Sequence, residues 1–164
     1  MKKSKPAESH FNLRGARFGI IAARFNNTLV DALLDGALAA LHDHGIVQRN
    51  IDIVRVPGAF EMPLVASRMA QTQRYDALIA LGAVIRGGTP HFEYVAGACT
   101  DGLAAVSLQH DIPVSFGVLT TNTVQQAVQR TTPKNNKGAD AAQAAMEMVS
   151  VLREIDTHKK KKGR

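Results

Sequence analysis

The stretch YDALIALGAVI, residues 75–85, carries apolar side chains at both alternating positions of an extended chain. A strand with one wet face would alternate apolar with polar; this one does not, so both of its faces must be covered. Three further runs are shorter but similar: ARFGIIAARF at 16–25, IDIVRV at 51–56 and IPVSFGVL at 112–119. Between them lie helical patterns. Val30, Leu33, Leu34, Ala37, Leu38 and Leu41 form one face of a helix predicted over 27–44, with Asn26 or Asn27 as its cap and Gly45 at its end. A short helix is expected over 64–71. A longer one over 90–109 has Phe92, Val95, Ala96, Cys99, Leu103 and Val106 in register, and 123–130 should form another short helix. The last helix is expected over 139–155, with an apolar stripe wider than one sheet needs, which calls for cover from partner subunits. Strands alternating with helices through short connections predict an α/β fold: a parallel four-stranded sheet with helices on both faces.

The chain has 164 residues, enough for one domain with a substantial core, and no internal repeat or linker divides it. We expect a disordered segment at 1–10, a single domain at 11–157 and a basic disordered tail at 158–164, with FNLRG at 11–15 as a short extended arm. No apolar run reaches the roughly 18–20 residues that span a bilayer. The start MKKSKPAESH lacks the apolar core of a secretory signal, so the chain reads as cytoplasmic and not as a membrane protein. The lone Cys99 excludes a disulfide within the chain and reads as a buried core thiol. The formal charge of +6 is concentrated at the ends, five positive charges lying in HKKKKGR at 158–164. The body lacks the basic, aromatic-studded face of a nucleic-acid binder, so no nucleic acid is expected as a partner.

In open parallel sheets ligands bind beyond the carboxyl ends of the strands. RFNN, PGAFE, RGGTPH and TTNT must therefore meet on one rim, bringing Phe25, Phe60, Glu61, Arg86, Thr89 and His91 together. Gly87 and Gly88 let the backbone turn and approach a ligand, Thr89 suits an N-cap and Pro90 a first helical position. His91 then falls in the first helical turn, where exposed amides favour a neutral imidazole over a cation and also favour a bound anion. It is either a base or a solvent-exposed first-turn histidine. Phe25 and Phe60 are either core or a clamp for a flat ring. His42-Asp43-His44 lacks a third ligand, so no metal is expected. There is no dinucleotide fingerprint or phosphate-binding P-loop, and no serine sits on a strand-to-helix elbow.

The motifs ARFN, VPGAFEMP, GAVIRGGTPHFEYV, PVSFGVLTT, QQAVQR and NKGADAA, in this order, resemble the 6,7-dimethyl-8-ribityllumazine synthases over residues 15–155. The resemblance implies a flavodoxin-like fold whose sheet is extended by an N-terminal arm from a neighbouring subunit. It implies condensation of 5-amino-6-(D-ribitylamino)uracil with 3,4-dihydroxy-2-butanone 4-phosphate without any cofactor. It implies a homo-oligomer, a pentamer or a multiple of pentamers, with sites between subunits, and riboflavin synthase as a candidate partner. Carried over, Phe25 would stack on the pyrimidine, Gly58, Ala59, Phe60 and Glu61 would hold the ribityl chain, and Ala83, Val84 and Ile85 would line the ring pocket. Gly88 and Thr89 would face phosphate and His91 would move protons. Phe116, Arg130, Lys137 and Asp140 would come from the neighbouring subunit. Gln129 and Asn122 stand where many members carry acidic residues. The loop TTPKNNKG at 131–138 is shorter than the common form and contains Pro133. The alternative is a catalytically silent protein that binds a flavin or lumazine, or builds a shell. A pure binder would not need His91, Arg130 and Lys137 together.

Overall fold

The structure, a computed structural model, describes residues 10–162. Its centre is a parallel sheet built from β1 (Phe18–Ala23), β2 (Ile51–Val56), β3 (Ala77–Ile85) and β4 (Val114–Thr121), in the order β2-β1-β3-β4. The two central strands are the most apolar: every residue of β1 is buried, and so is β3 from Ala77 to Ala83. The edge strand β2 alternates, exposing Ile53 and Arg55. Its ladder is satisfied on one side only, which is why polar side chains are tolerated there.

The helices α1 (Asn27–Asp43), α2 (Met62–Gln71) and α3 (His91–His110) follow the first three strands, and α4 (Val124–Val128) and α5 (Lys137–Lys162) follow β4. The step from β1 to β2 runs toward one edge of the sheet, and the steps to β3 and β4 run toward the other. Right-handed crossovers therefore put α1 on one face and α2 with α3 on the opposite face. The packing agrees, α1 lying against α5 and α2 against α3. The chain thus changes direction between β1 and β3, and a crevice must open at their carboxyl ends.

Two glycines let α1 and α5 approach closely. A Cβ on Gly138 would lie 1.9 Å from the Leu33 carbonyl oxygen, and one on Gly36 would lie 2.2 Å from Asn136 Oδ1. Asn136 is fixed from both ends. Its Oδ1 accepts from the Gly138 and Ala139 amides at 2.9 and 3.1 Å, and its Nδ2 donates to the Ala32 carbonyl at 2.9 Å. The start of α5 is thereby capped and tied to α1 by one side chain.

Several expectations are corrected in detail. Asn26 does precede α1, but in a left-handed conformation (φ 57°) and without a side-chain cap; its Nδ2 donates to the Ala83 carbonyl at 2.8 Å and so joins β1's exit to β3. Thr89 does not cap α3: Pro90 occupies that position, no side chain caps the helix, and His91 is its first residue. The loop at 131–138 contains a small antiparallel hairpin, β5 (Thr131–Thr132) with β6 (Asn135–Asn136). The basic run does not break the last helix at 155, as α5 continues to Lys162; lysines are good helix formers and their charge suits a helix carboxyl end. The rest of that tail, 163–164, and the expected disordered segment apart from His10 lie outside the described residues. The arm at 11–15 forms no strand; it lies on its own α5, with Asn12 N donating to Ser150 Oγ at 3.0 Å and Arg153 donating to the Asn12 and Arg14 carbonyls. Cys99 is fully buried, and burial pushes its thiol up to about 11. Among the described residues no helix is long and apolar enough to cross a membrane.

Candidate active site

A cleft of about 690 Å³ opens at the carboxyl ends of β1, β2 and β3, at the crevice that the strand order requires. From β1 come Ala23 and Phe25, from the turn after β2 Pro57, Gly58, Ala59, Phe60 and Glu61, and from the end of β3 Ala83, Val84 and Ile85. Gly87 and Thr89 follow, and the first turns of α3 add His91, Phe92, Tyr94 and Val95. Sheet hydrogen bonding continues past the strands and fixes the wall. Arg24 N donates to the Val56 carbonyl at 2.8 Å and Phe25 N to the Pro57 carbonyl at 3.0 Å, so the turns after β1 and β2 are locked side by side.

The two phenylalanines are not core. Phe25 is 70% exposed and Phe60 61%, and both line the cleft. An exposed aromatic pair over a mostly apolar wall can take a flat ring and shield it from water. Glu61 stands exposed at the same wall, able to accept from ligand hydroxyls. His91 is exposed at the first position of α3 and lines the cleft, and no side chain caps that helix end. A 20-residue helix ending there favours an anion beside that imidazole.

Gly87 and Gly88 adopt no left-handed conformation, so the turn itself does not demand glycine. A Cβ on either would meet no protein atom within 4 Å. Their small size matters only toward whatever occupies the open space. Gly88 lies between two lining residues but does not line the cleft.

Phe116, Arg130, Lys137 and Asp140 do not line this cleft either. Phe116 is 44% exposed on β4, a large apolar side chain left uncovered in the single chain. Arg130 Nη1 donates to the Gln126 carbonyl at 2.8 Å, while Lys137 N donates to the Arg130 carbonyl at 2.9 Å. Lys137 Nζ pairs with Asp140 Oδ2 at 2.7 Å. Arg130, Lys137 and Asp140 form a second group around α4, the hairpin and the start of α5, and Phe116 stands apart from them on β4.

The sequence reasoning missed Tyr94, and it placed Phe92 and Val95 only in the apolar register of the helix. All three line the cleft, because only Cys99, Leu103 and Val106 of that stripe are buried. Helical spacing from His91 could have found Tyr94 and Val95, which share its face at i+3 and i+4. His42 and His44 are not part of the site; the His44 ring stacks on Phe11 with centroids 5.6 Å apart. Among the described residues no group of three metal-ligating side chains gathers.

Comparison with known families agrees with this geometry. The family model described as 6,7-dimethyl-8-ribityllumazine synthase matches residues 15–153, spanning every strand of the sheet and the whole cleft. The chain therefore belongs to the 6,7-dimethyl-8-ribityllumazine synthase family, transferases of riboflavin biosynthesis.

Proposed function

We propose that the protein condenses 5-amino-6-(D-ribitylamino)uracil with 3,4-dihydroxy-2-butanone 4-phosphate to give 6,7-dimethyl-8-ribityllumazine. The observation that carries this reading is one cleft with exposed Phe25 and Phe60, the end of β3, and a histidine at the start of a helix. The pyrimidine stacks on Phe25 and its edge meets the backbone of Ala83, Val84 and Ile85. The ribityl chain runs along Gly58, Ala59 and Phe60, with Glu61 accepting from its hydroxyls. The phosphate of the second substrate lies at the α3 start, beside Gly88 and Thr89, where unpaired amides attract an anion.

The amine of the pyrimidine attacks the ketone, and water leaves as an imine forms. Phosphate then leaves to give an enol, which returns to the ketone form. The ribityl-bearing nitrogen adds to that carbonyl, and water leaves again as the ring closes. Each stage moves a proton, and His91 is the titratable group at the junction of the two subsites. Holding both reactants in register supplies much of the rate. The departing phosphate needs a fixed cation, and a guanidinium offers two parallel donors.

That cation is Arg130 of a second copy, with Lys137, Phe116 and Asp140 alongside. In support, none of the four lines the chain's own cleft, and exposed Leu64, Tyr94, Leu108, Phe116, Val124 and Val128 leave apolar surface for subunit contacts. The assembly is a pentamer or a multiple of pentamers in the cytoplasm, with riboflavin synthase consuming the product. Incubation with both substrates tests this: growth of lumazine fluorescence is expected. Its absence from a correctly folded assembly would leave binding without turnover.

A further inference from the structure

His91 is the first residue of α3, so its place depends on the link 86–90 that leads into the helix. That link has little to hold it. No side chain caps α3, Pro90 has no amide hydrogen to donate, and Gly87 and Gly88 have no side chains to pack. What spans the two ends of the link is the side chain of Arg86. Its Nε donates to Asn122 Oδ1 at 2.9 Å, its Nη1 donates to Glu93 Oε1, and its guanidinium lies 4.4 Å from the centre of the Phe92 ring. The Arg86 amide adds a 2.8 Å bond to the Thr121 carbonyl at the end of β4. Asn122 is held in turn, its amide donating to Gln126 Oε1 at 2.8 Å in the capped α4.

We propose that Arg86 is a positioning residue. By bridging Asn122 and Glu93 across the face of Phe92, it fixes the glycine link and so sets the His91 imidazole against the cleft. The inference rests on the reading of His91 given above. A guanidinium suits the task because its planar fork reaches two acceptors at once and stacks on a ring, which an ammonium does not. Glu93 takes part as an anion: the hydrogen bond from Arg86 holds its carboxyl below the usual carboxylate range. The link it steadies carries Gly88, Thr89 and His91 but not the pyrimidine wall at Phe25 and Ala83–Ile85. Loosening it should therefore disturb proton transfer and the phosphate end, and leave the pyrimidine end intact.

Arg86→Lys and Glu93→Gln in the intact assembly test this. Each should lower kcat by about 10- to 100-fold, the loss that a misplaced reacting group brings. KM for the phosphate-bearing substrate should rise while KM for the pyrimidine stays unchanged. The double variant should fall no further than the worse single one, since both break the same bridge. Hydrogen exchange at the amides of residues 87–92 should speed up in both variants, with residues 99–110 unchanged. Wild-type kcat in Arg86→Lys, or parallel changes in both KM values, would overturn the positioning role. If the wild type itself makes no lumazine, the proposed reaction fails. The exchange measurement still judges Arg86, and unchanged exchange at 87–92 would overturn the clamp.

Discussion

Asn136 is the strongest single prediction, because its bonds can be summed. Replacing it with alanine removes the acceptor for the Gly138 and Ala139 amides at the start of α5. Loss of such a cap costs about 1 kcal/mol. The bond to the Ala32 carbonyl is lost too, worth about another 1 kcal/mol. Asn136→Ala should therefore destabilise the protein by about 2 kcal/mol, or about 4–8 °C in Tm for a chain of this size. The neighbouring glycine sharpens the test. Alanine at Gly36 would drive its Cβ into Asn136 Oδ1 from 2.2 Å, so Gly36→Ala alone must displace Asn136 and lose those same bonds. With Asn136 already truncated, the obstruction is gone. Gly36→Ala should then be neutral, or stabilising by up to about 1 kcal/mol through helix propensity. Urea midpoints of the four proteins, at one fixed protein concentration, measure the coupling. Equal destabilisation by Gly36→Ala in both backgrounds would refute the reasoning that Asn136 bridges the two helices.

His91→Ala should slow condensation by about 100-fold or more while the subunits still fold and assemble, because general acid–base catalysis typically supplies that much; stopped-flow absorbance would check it, and unchanged turnover would remove His91 from its role. Arg130→Ala should raise KM for the phosphate-bearing substrate and spare that for the pyrimidine, read from steady-state kinetics with each substrate varied in turn. Cys99, with its thiol pushed up to about 11, should resist thiol reagents at neutral pH until the protein unfolds. The sign of its pH effect follows from burial. Above about pH 8.5 the unfolded thiol ionises and the folded one does not, so stability falls with rising pH until the folded thiol also ionises. Cys99→Ala should flatten that part of a urea-midpoint profile between pH 8 and about 11.

The strands were legible because apolar runs such as LIALGAV cannot be exposed on either side, and the strand order then places the crevice. Phe25, Phe60, Glu61 and His91 could be gathered from it because each directly follows a strand or opens a helix. What was hidden depends on distant partners. Asn26 looked like a cap, yet its amide serves the Ala83 carbonyl, 57 positions away. Thr89 has the right chemistry for a cap, but Pro90 takes the position and His91 begins the helix. Phe92 and Val95 keep helical register with the buried Cys99, yet both are only partly buried and line the cleft, Val95 packing against the core as well. The α1–α5 crossing at Gly36, Gly138 and Asn136 gave no periodic signal at all. The hairpin at Thr131–Asn136 is too short for alternation to mark it.

Subunit mixing tests the shared cleft most directly. His91→Ala and Arg130→Ala proteins would be unfolded together in equal amounts, reassembled, and assayed with the phosphate-bearing substrate kept far below the raised KM of Arg130→Ala, where neither parent turns over appreciably. If every cleft draws Arg130 from a second copy, random assembly gives intact pairs at about one quarter of the sites, with turnover to match. Lumazine formation at that level is the predicted result. A reassembled mixture no more active than its two parents would contradict the account.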